Sequence, residues 1–489
     1  MTTAASKVNS RKGEQPSVIP VFFLTEMWER FGFYMIQALL ALYMTSRVFG
    51  FSDTKSYAIL GAVSAMAYIM PIFGGYLASK VLDYEHAVVL GGFLLVIGYA
   101  LLALPQENLF YFSLATMTIG TGFFKPNISS YLGDFYQPKD PYREKGYTIF
   151  YIGINLGILF STSSSGYVVR YFGWHMPFLM ASVGLFIGSL VFILGLNYLK
   201  KTGHFNRIKK ATASKKPLSI FLVYLSIPLQ IAFSYYVIKS QTVANTVMLW
   251  GSLAIFFGVL FYAFKFNAAA RKKLHVALLL IVVSTVYWSL YFQMFFSMNL
   301  FIERAVNRHF FSSILPTPLM LTSETIFIIL LGPFLAMLWQ KLSKKNLNHG
   351  TPLKFALAMI FLTAAFLVVV GGIQIAHGDM NNMAFILIAY FLIAISELLL
   401  SPIGLSMITV LAPHELVGLM MGVWFVSLGL GEKLAGIIAN YAAIPKHIIF
   451  VSSMDGIYND AFLKYAIISG ICAVVALIAV PFLNRMIKQ

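Results

Sequence analysis

The sequence has little charge and almost no cysteine. Only 11% of its 489 residues are charged, whereas a soluble globular protein carries roughly 25%, because its surface has to face water. The chain contains one cysteine, Cys472, so an intrachain disulfide is excluded. It shows neither the glycine-rich pattern that binds ATP phosphates nor a cysteine and histidine spacing typical of zinc sites. We therefore expect no cofactor and no metal, and the missing phosphate-binding pattern argues against an ATP-driven pump.

Apolar residues are abundant instead, and they come in long runs. Hydrophobic residues make up 59% of the chain, in stretches long enough to cross a hydrocarbon core of roughly 30 Å as helices. The runs are continuous, which excludes the alternating pattern of a membrane β-barrel. We predict an all-α membrane protein with fourteen spans, at residues 19–45, 56–79, 88–105, 109–134, 147–166, 174–198, 218–238, 243–264, 275–301, 319–340, 353–376, 383–411, 414–440 and 461–483.

Two basic connections divide these spans into groups. One runs from Lys200 to Lys216 and the other covers residues 271–273, and between them lie two apolar spans with six further spans on each side. This order predicts two six-helix bundles joined by an inserted helical hairpin, an arrangement in which transporters place the substrate near the bilayer midplane. The expected segments are a cytoplasmic tail at 1–18, an N-terminal bundle at 19–199, basic linkers with the hairpin at 200–273, a C-terminal bundle at 274–484 and a second tail at 485–489.

The charge balance is strongly positive, with 35 Lys and Arg against 18 Asp and Glu. The basic residues concentrate on alternate connecting segments, on the side where the polar first eighteen residues lie. Cytoplasmic loops of membrane proteins carry such an excess, so we predict that both termini are cytoplasmic. The positive charge therefore indicates membrane topology, and we expect no binding of nucleic acid.

The predicted first span carries three charged residues, Glu26, Glu29 and Arg30. Spacings of three and four residues place them on one helical face. A charge inside the membrane costs at least ~2.5–3.5 kcal/mol, so such residues are candidates for function by default. Arg30 can hold one carboxylate as an anion while the other binds a proton, which makes the cluster a candidate for proton coupling. The alternative is a static ion-pair network that fixes the helix.

Two further charged residues, one in each half of the chain, lie within five residues of a helix-breaking proline. Lys125 precedes Pro126, and Glu397 lies five residues before Pro402. Proline frees backbone groups, which membrane proteins tolerate where a cavity or a neighbouring helix satisfies them. Their positions in opposite halves favour a site across the cleft. The alternative for each residue is a buried structural pair.

Together these segments resemble the proton-dependent oligopeptide transporter family of the major facilitator superfamily, in its bacterial type with fourteen helices. Residues 26–31 fit the family pattern E-x-x-E-R-F, 123–127 fit F-x-K-P-N, and 150–157 fit F-Y-x-x-I-N-x-G. Residues 397–404 and 421–424 fit the helices that the family numbers ten and eleven. The resemblance covers essentially the whole chain.

The resemblance implies import of di- and tripeptides with protons by alternating access, in which Glu397 binds the peptide amino terminus and Lys125 serves the carboxylate side. The residues implied in proton coupling are Glu26, Glu29, Arg30 and Glu397. The candidate substrate-binding residues are Tyr34, Gln37, Tyr68, Lys125, Asn155, Trp288, Glu324, Glu397, Ser401 and Trp424. Without the motifs, the aromatic members of this set would be read as ordinary helix packing.

Two positions depart from the family pattern. Gln37 stands where many relatives have an arginine, and Glu324 stands where the family often has an asparagine. Both changes make the cavity more negative, so we hypothesise a preference for peptides with neutral or basic side chains over acidic ones. The alternative is that Glu324 pairs with a neighbouring helix and never meets substrate.

Other functions remain open at this point. A symporter of another small charged metabolite, or a peptide sensor that binds without translocating, would use the same pocket. A membrane-embedded enzyme is disfavoured because we find no nucleophile–base or metal-ligand constellation in the spans. We expect a multi-pass monomer in the bacterial inner membrane, with small peptides, protons and membrane lipid as its partners.

Overall fold

The long apolar runs fold as helices that span the length of the molecule. The computed structural model describes residues 15–137, 140–208, 216–344 and 350–488. Its α-helices are α1 Ile19–Thr45, α2 Asp53–Leu77, α3 Tyr84–Leu102, α4 Glu107–Gly133, α5 Pro141–Phe172, α6 His175–Lys201, α7 Pro217–Lys239, α8 Gln241–Tyr262, α9 Ala268–Tyr291, α10 Ser297–Ala305, α11 Thr317–Lys344, α12 Thr351–Ala376, α13 Met383–Leu411, α14 Val417–Ile438 and α15 Val451–Lys488.

Fourteen of these described helices have 19 residues or more, and only α10 is short. The predicted all-α membrane fold is therefore confirmed. Twelve of the fourteen are long and apolar enough to cross a membrane by composition. The other two are α1 and α4, whose apolar character is lowered by the polar and charged motif residues. The helices that fall short in hydropathy are thus those with the strongest functional signals.

The predicted span at 275–301 falls within one apolar segment, Ala268–Ala305, that is long enough to cross a membrane, but its helix is interrupted. After α9 ends, residues Phe292–Met294 form a 3₁₀ turn, and Phe296 has a non-helical backbone with ψ −104°. The side chain of Gln293 supports the break, since its Nε2 donates to the carbonyl oxygen of Ser289, one turn earlier, and to that of Ala435 in α14, both at 3.0 Å. A polar side chain here takes up hydrogen bonds that a regular helix would make within its own backbone.

The chain ends differ from the prediction as well. The last helix begins at Val451 rather than at 461, and it continues to Lys488, so most of the segment predicted as a tail at 485–489 is helical. The predicted tail at 1–18 lies largely outside the described residues. Two minimal sheets occur in the connections, one pairing β1 Val306–Asn307 with β4 Asn381–Asn382 in parallel, the other pairing β2 His309–Phe310 with β3 Ser313–Ile314 antiparallel.

The long helices form two bundles. Helices α1 to α6 pack among themselves, as do α9 to α15, and the bundles meet where α2 packs on α14 and α5 packs on α11. The hairpin α7–α8 contacts α2 and α4 on one side and α9 and α14 on the other. Large apolar side chains of the hairpin are strongly exposed, as in Leu229 at 73%. A surface of this kind suits lipid rather than water.

The bundles are fastened at one end, which we call the distal end because it lies opposite the start of α1. There Arg304 of α10 makes a bidentate ion pair with Asp53 of α2, at 2.6 and 2.7 Å. Lys446 also donates to the carbonyl oxygen of Gly50 at 2.7 Å. Helices α2 and α14 approach closely at Gly436, where a Cβ would lie 2.6 Å from the carbonyl oxygen of Tyr57. Any side chain at that position would push the bundles apart.

Candidate functional site

A cavity of about 250 Å³ lies between the bundles, on the proximal side of the distal contacts. Its aromatic lining residues are Tyr34, Tyr68, Tyr151, Trp288, Tyr291, Phe292 and Phe295, and its polar lining residues include Gln37, Asn155, Thr162, Glu324, Thr325, Glu397 and Ser401. The volume lies just below the roughly 300–1,000 Å³ of small-molecule sites, so it suits a small ligand. Tyr151, on the proximal part of α5, is 57% exposed. The cavity therefore opens toward the proximal end.

Eight of the ten predicted substrate-binding residues line this cavity, and two do not. Those in the lining are Tyr34, Gln37, Tyr68, Asn155, Trp288, Glu324, Glu397 and Ser401. Lys125 stands behind the wall, with its Nζ 4.2 Å from the centroid of the Tyr68 ring. Trp424 is 2% exposed and packs into the space above Gly404, where a Cβ would lie 2.0 Å from its ring. The structure thus places Trp424 in the contact between α13 and α14, outside the lining.

Two carboxyl groups of the C-terminal bundle meet at one tyrosine. The hydroxyl of Tyr291 lies 2.7 Å from Oε2 of Glu397 and 3.2 Å from Oε1 of Glu324. The three residues come from α9, α11 and α13, so the packing of three helices creates the cluster. Glu324 is only 5% exposed, yet it faces the cavity. No lysine or arginine occurs among the described residues that line the cavity.

The three charges of the first helix form a compact network, which we call the α1 cluster: Glu26, Glu29 and Arg30. Arg30 pairs with Glu26 at 3.1 Å through Nε and with Glu29 through Nη2. All three are at least 96% buried. Helix α5 can pack this close to the cluster because Gly157 lacks a side chain, and a Cβ there would lie 2.9 Å from the Arg30 Cβ. Gly157, from the segment that fits F-Y-x-x-I-N-x-G, therefore allows close packing against the segment that fits E-x-x-E-R-F.

Lys125 is within electrostatic range of both the α1 cluster and Glu432 of α14. Among the described residues we find no ion pair for it. Its Nζ instead faces two aromatic rings, Tyr68 at 4.2 Å and Phe33 at 5.6 Å from the centroids. Ring faces attract cations, so the ammonium is partly compensated without a fixed carboxylate partner. A cation without a fixed carboxylate partner at the wall of the cavity is exposed to changes of charge in both the α1 cluster and the cavity.

Sequence reasoning missed Tyr291 and Tyr151, although both line the cavity. Tyr291 stands three residues after Trp288 on α9, and residues three apart share a helical face. The two rings touch edge to face, with centroids 5.2 Å apart. Tyr151 belongs to the segment that fits F-Y-x-x-I-N-x-G, and its carbonyl oxygen accepts a hydrogen bond from Asn155 Nδ2 at 2.8 Å. Helical spacing from the predicted residues was the signal that could have found them.

Two helical bundles around a charged cavity, closed at one end and open at the other, define a secondary transporter. Discontinuous or proline-bearing helices at the cavity are typical of this class of membrane protein.

Comparison with known proteins specifies the family. The profile of the POT family matches residues 85–455. The chain is 32% identical to dipeptide and tripeptide permease A of Erwinia pyrifoliae, covering 99% of this chain and 97% of that protein. It is 30% identical to dipeptide and tripeptide permease B of Salmonella typhimurium, covering 97% of each. The chain belongs to the POT family, so the resemblance drawn from the motifs is confirmed.

Solved structures give the same result for the fold. A peptide transporter POT in complex with sulfate superposes with a TM-score of 0.84 at 25% identity, covering 97% of this chain and 96% of that one. The tetrameric transporter PepTSo2 superposes with a TM-score of 0.83 at 26% identity, covering 96% and 98%. These neighbours have the major facilitator fold, which is thereby confirmed for this chain.

Proposed function

We propose that this protein is a proton-coupled symporter that imports di- and tripeptides by alternating access. The observation that carries the proposal is the cavity between the bundles, lined by carboxyl groups on one side, aromatic rings on several sides, and closed at the distal end. Its relatives carry the names dipeptide and tripeptide permease. Accordingly, the distal end faces the periplasm, the proximal end and both termini face the cytoplasm, and the membrane is the bacterial inner membrane.

In this reading the peptide lies across the cavity with its charged ends toward opposite bundles. Its ammonium group pairs with Glu397 of the C-terminal bundle, because a charge-assisted hydrogen bond to a carboxylate is among the stronger polar contacts. Its carboxylate faces the N-terminal bundle, where Tyr34, Gln37 and Asn155 offer hydrogen bonds. Lys125 supplies positive charge from behind Tyr68.

Proton coupling belongs to the α1 cluster. Two carboxylates share one guanidinium, so a proton on one of them leaves the cluster neutral, and its loss leaves one negative charge. Tyr34, one helical turn after Arg30, extends from the same helix into the cavity lining. A change of charge in the cluster therefore reaches the substrate through the same helix and through Lys125.

Alternating access requires that the distal contacts open. The Asp53–Arg304 pair, with the amide of Ile444 also donating to Asp53 Oδ2 at 2.9 Å, connects the N-terminal and C-terminal bundles. Opening toward the periplasm breaks this connection and separates α2 from α14 at Gly436. The contacts at the other end then have to close around the loaded cavity.

Transport in liposomes tests the proposal. Purified protein reconstituted with an inward proton gradient should accumulate labelled dialanine, and a protonophore should abolish accumulation. A panel of di-, tri- and tetrapeptides and free amino acids, competing against dialanine, then tests the size range. Accumulation that persists after the gradient collapses would contradict proton coupling.

Two alternatives have distinct signatures in the same liposomes. A peptide sensor binds labelled dipeptide but shows no counterflow, and a symporter of another charged metabolite is not inhibited by unlabelled di- and tripeptides. We further propose that the protein acts as a monomer, since the cavity is formed within one chain. Light scattering of the detergent-solubilised protein measures the mass, and a tetramer such as that of PepTSo2 would contradict this assignment.

A further inference from the structure

The contact of Tyr291 with two carboxyl groups in the cavity indicates how many protons the two groups carry. A tyrosine hydroxyl has one hydrogen to donate, and an ionised carboxylate can only accept. Tyr291 lies within hydrogen-bonding distance of Glu397 at 2.7 Å and of Glu324 at 3.2 Å. Both contacts are hydrogen bonds only if the hydroxyl donates to one carboxylate and accepts from the other carboxyl, which must then carry a proton.

The groups around Glu324 and Glu397 also require that one of the two carboxyl groups is protonated. The titratable groups within electrostatic range of Glu324 are Tyr34 of α1, Tyr151 of α5, Tyr287 and Tyr291 of α9, and Tyr390 and Glu397 of α13. Apart from Glu397, all of them are tyrosines, and tyrosine is neutral at physiological pH. Two adjacent carboxylates without a cation between them repel each other, so one proton stays in the pair.

We infer that Glu324 and Glu397 hold one proton between them in the empty cavity, and that a ligand with two positive charges replaces this proton. The inference rests on the proposed function, in which Glu397 receives the peptide ammonium. A peptide with a neutral side chain brings one ammonium, which pairs with the ionised carboxylate while Glu324 keeps its proton. The pair and its ligand are then neutral together.

A peptide with a basic side chain brings a second cation into the same space. The protonated carboxyl of Glu324 gives up its proton to water, and the resulting carboxylate pairs with the side-chain ammonium. One O–H bond breaks, no covalent bond to the ligand forms, and the charge stays balanced. A lysine stem is flexible enough for its ammonium to reach a carboxylate adjacent to the one that holds the α-ammonium. Glu324 is thus a specificity residue for cationic side chains.

This exchange links binding to pH in one direction. Because lysyl-alanine releases a proton that dialanine does not, its affinity relative to dialanine rises with pH, by up to about tenfold per pH unit. The rise continues over the range in which the empty pair keeps its proton and the ligand ammonium stays charged. Acidic dipeptides bring no second cation and gain nothing.

Calorimetry on the full-length protein in nanodiscs tests the inference. Binding of dialanine and of lysyl-alanine is measured in two buffers with different ionisation enthalpies, which yields the number of protons released with each ligand. For the unaltered protein we expect lysyl-alanine to release about one proton more than dialanine. Glu324→Gln should remove that difference and weaken lysyl-alanine by about tenfold or more, while dialanine changes by about twofold at most.

The matched control is Glu432→Gln, another fully buried glutamate, which lies outside the cavity lining. It should keep the difference of one proton between the two ligands. Equal proton release by both ligands in the unaltered protein overturns the inference, whether or not the variants fold, and so does an unchanged difference in Glu324→Gln. Absence of binding for every dipeptide overturns the proposed function itself and the inference with it.

Discussion

Two pairs of glutamates inside this protein are compensated by different partners. In the α1 cluster, Glu26 and Glu29 both contact the guanidinium of Arg30. In the cavity, Glu324 and Glu397 both lie within hydrogen-bonding distance of the Tyr291 hydroxyl, and none of the described lining residues is a lysine or an arginine. Arginine carries a permanent charge, so one carboxylate of the α1 cluster is always balanced. A hydroxyl brings no charge, so the cavity pair depends on protons or on a ligand.

The presence or absence of a cation suits the two glutamate pairs to different functions. A pair that keeps its own cation suits a proton site, because it needs no ligand to balance its charge. A pair without a cation suits ligand binding, because an incoming ammonium supplies what the protein lacks. The following predictions test this division, from the largest expected effect to the smallest.

Removing the cation of the α1 cluster should have the largest effect. In Arg30→Ala two buried carboxylates remain without compensation, and breaking such a pair typically costs ~3–5 kcal/mol. We expect a lower thermal unfolding temperature in detergent and no peptide uptake. Arg30→Lys keeps the charge but loses the forked geometry, so it should lie between Arg30→Ala and the unaltered protein. Normal unfolding and uptake in Arg30→Ala would show that the cluster is not held by this cation.

Neutralising one carboxylate of the α1 cluster should abolish proton-driven accumulation without abolishing peptide binding. Glu29→Gln removes a proton site but leaves Arg30 paired with Glu26 at 3.1 Å. We expect gradient-driven accumulation of dialanine to be lost while exchange of labelled for unlabelled dialanine persists. The control is Glu107→Gln, since Glu107 is exposed and pairs with Lys55 at the surface. Unchanged accumulation in Glu29→Gln would make the α1 cluster purely structural.

Lys125 should matter more for uptake than for folding. The sequence left a buried ion pair open as the alternative to substrate binding, and the loss of such a pair costs ~3–5 kcal/mol. The structure instead shows contacts with the rings of Tyr68 and Phe33, and desolvated contacts of this kind are worth about 2 kcal/mol. Lys125→Gln should therefore fold with a modest loss of stability and show severely impaired uptake.

The control for Lys125 is Lys354→Gln, because Lys354 has a similar contact, with its Nζ 4.4 Å from the Trp339 ring centroid, outside the cavity lining. It should lose similar stability but transport normally. If Lys125→Gln transports as well as Lys354→Gln does, Lys125 has no part in the transport cycle.

The smallest expected effect is a change in ligand ranking at Glu397. Glu397→Gln should weaken dialanine by about tenfold or more, since a hydrogen bond to a charged group contributes about 1.5–3 kcal/mol. N-acetylated dialanine, which has no ammonium, should be affected much less. Competition against a labelled dipeptide measures both affinities. Equal losses for the two ligands would argue against the contact between Glu397 and the peptide amine.

Much of the architecture follows from local sequence. Span lengths and the two basic connections predicted fourteen long helices, because a helix in lipid needs about 20 apolar residues and no tertiary partner to satisfy its backbone. The break after Tyr291 was not predicted, because it depends on a tertiary contact. It depends on Gln293 donating to Ala435, a residue 142 positions away, and no local pattern contains that contact.

The sequence predicted some residues of the candidate site correctly and placed others wrongly. Glu26, Glu29 and Arg30 share a helical face by spacing alone, and the structure joins them in ion pairs. Trp424 belongs to a segment that fits the family, yet it fills the space above Gly404 instead of lining the cavity. Whether an aromatic residue on a helix faces a cavity or a neighbour depends on the rotation of the packed helices, which sequence spacing leaves undetermined.

The sequence by itself determined that this protein crosses the membrane many times, that its charges inside the membrane are few, and which family it resembles. These properties depend on the composition and order of residues along one chain, and on the cost of placing charge in lipid. Only the tertiary structure decided that Glu324 and Glu397 meet at Tyr291, that Lys125 lies against aromatic rings, and that the bundles close at the distal end. Those contacts join helices far apart in the chain, and they exist only once the helices have packed.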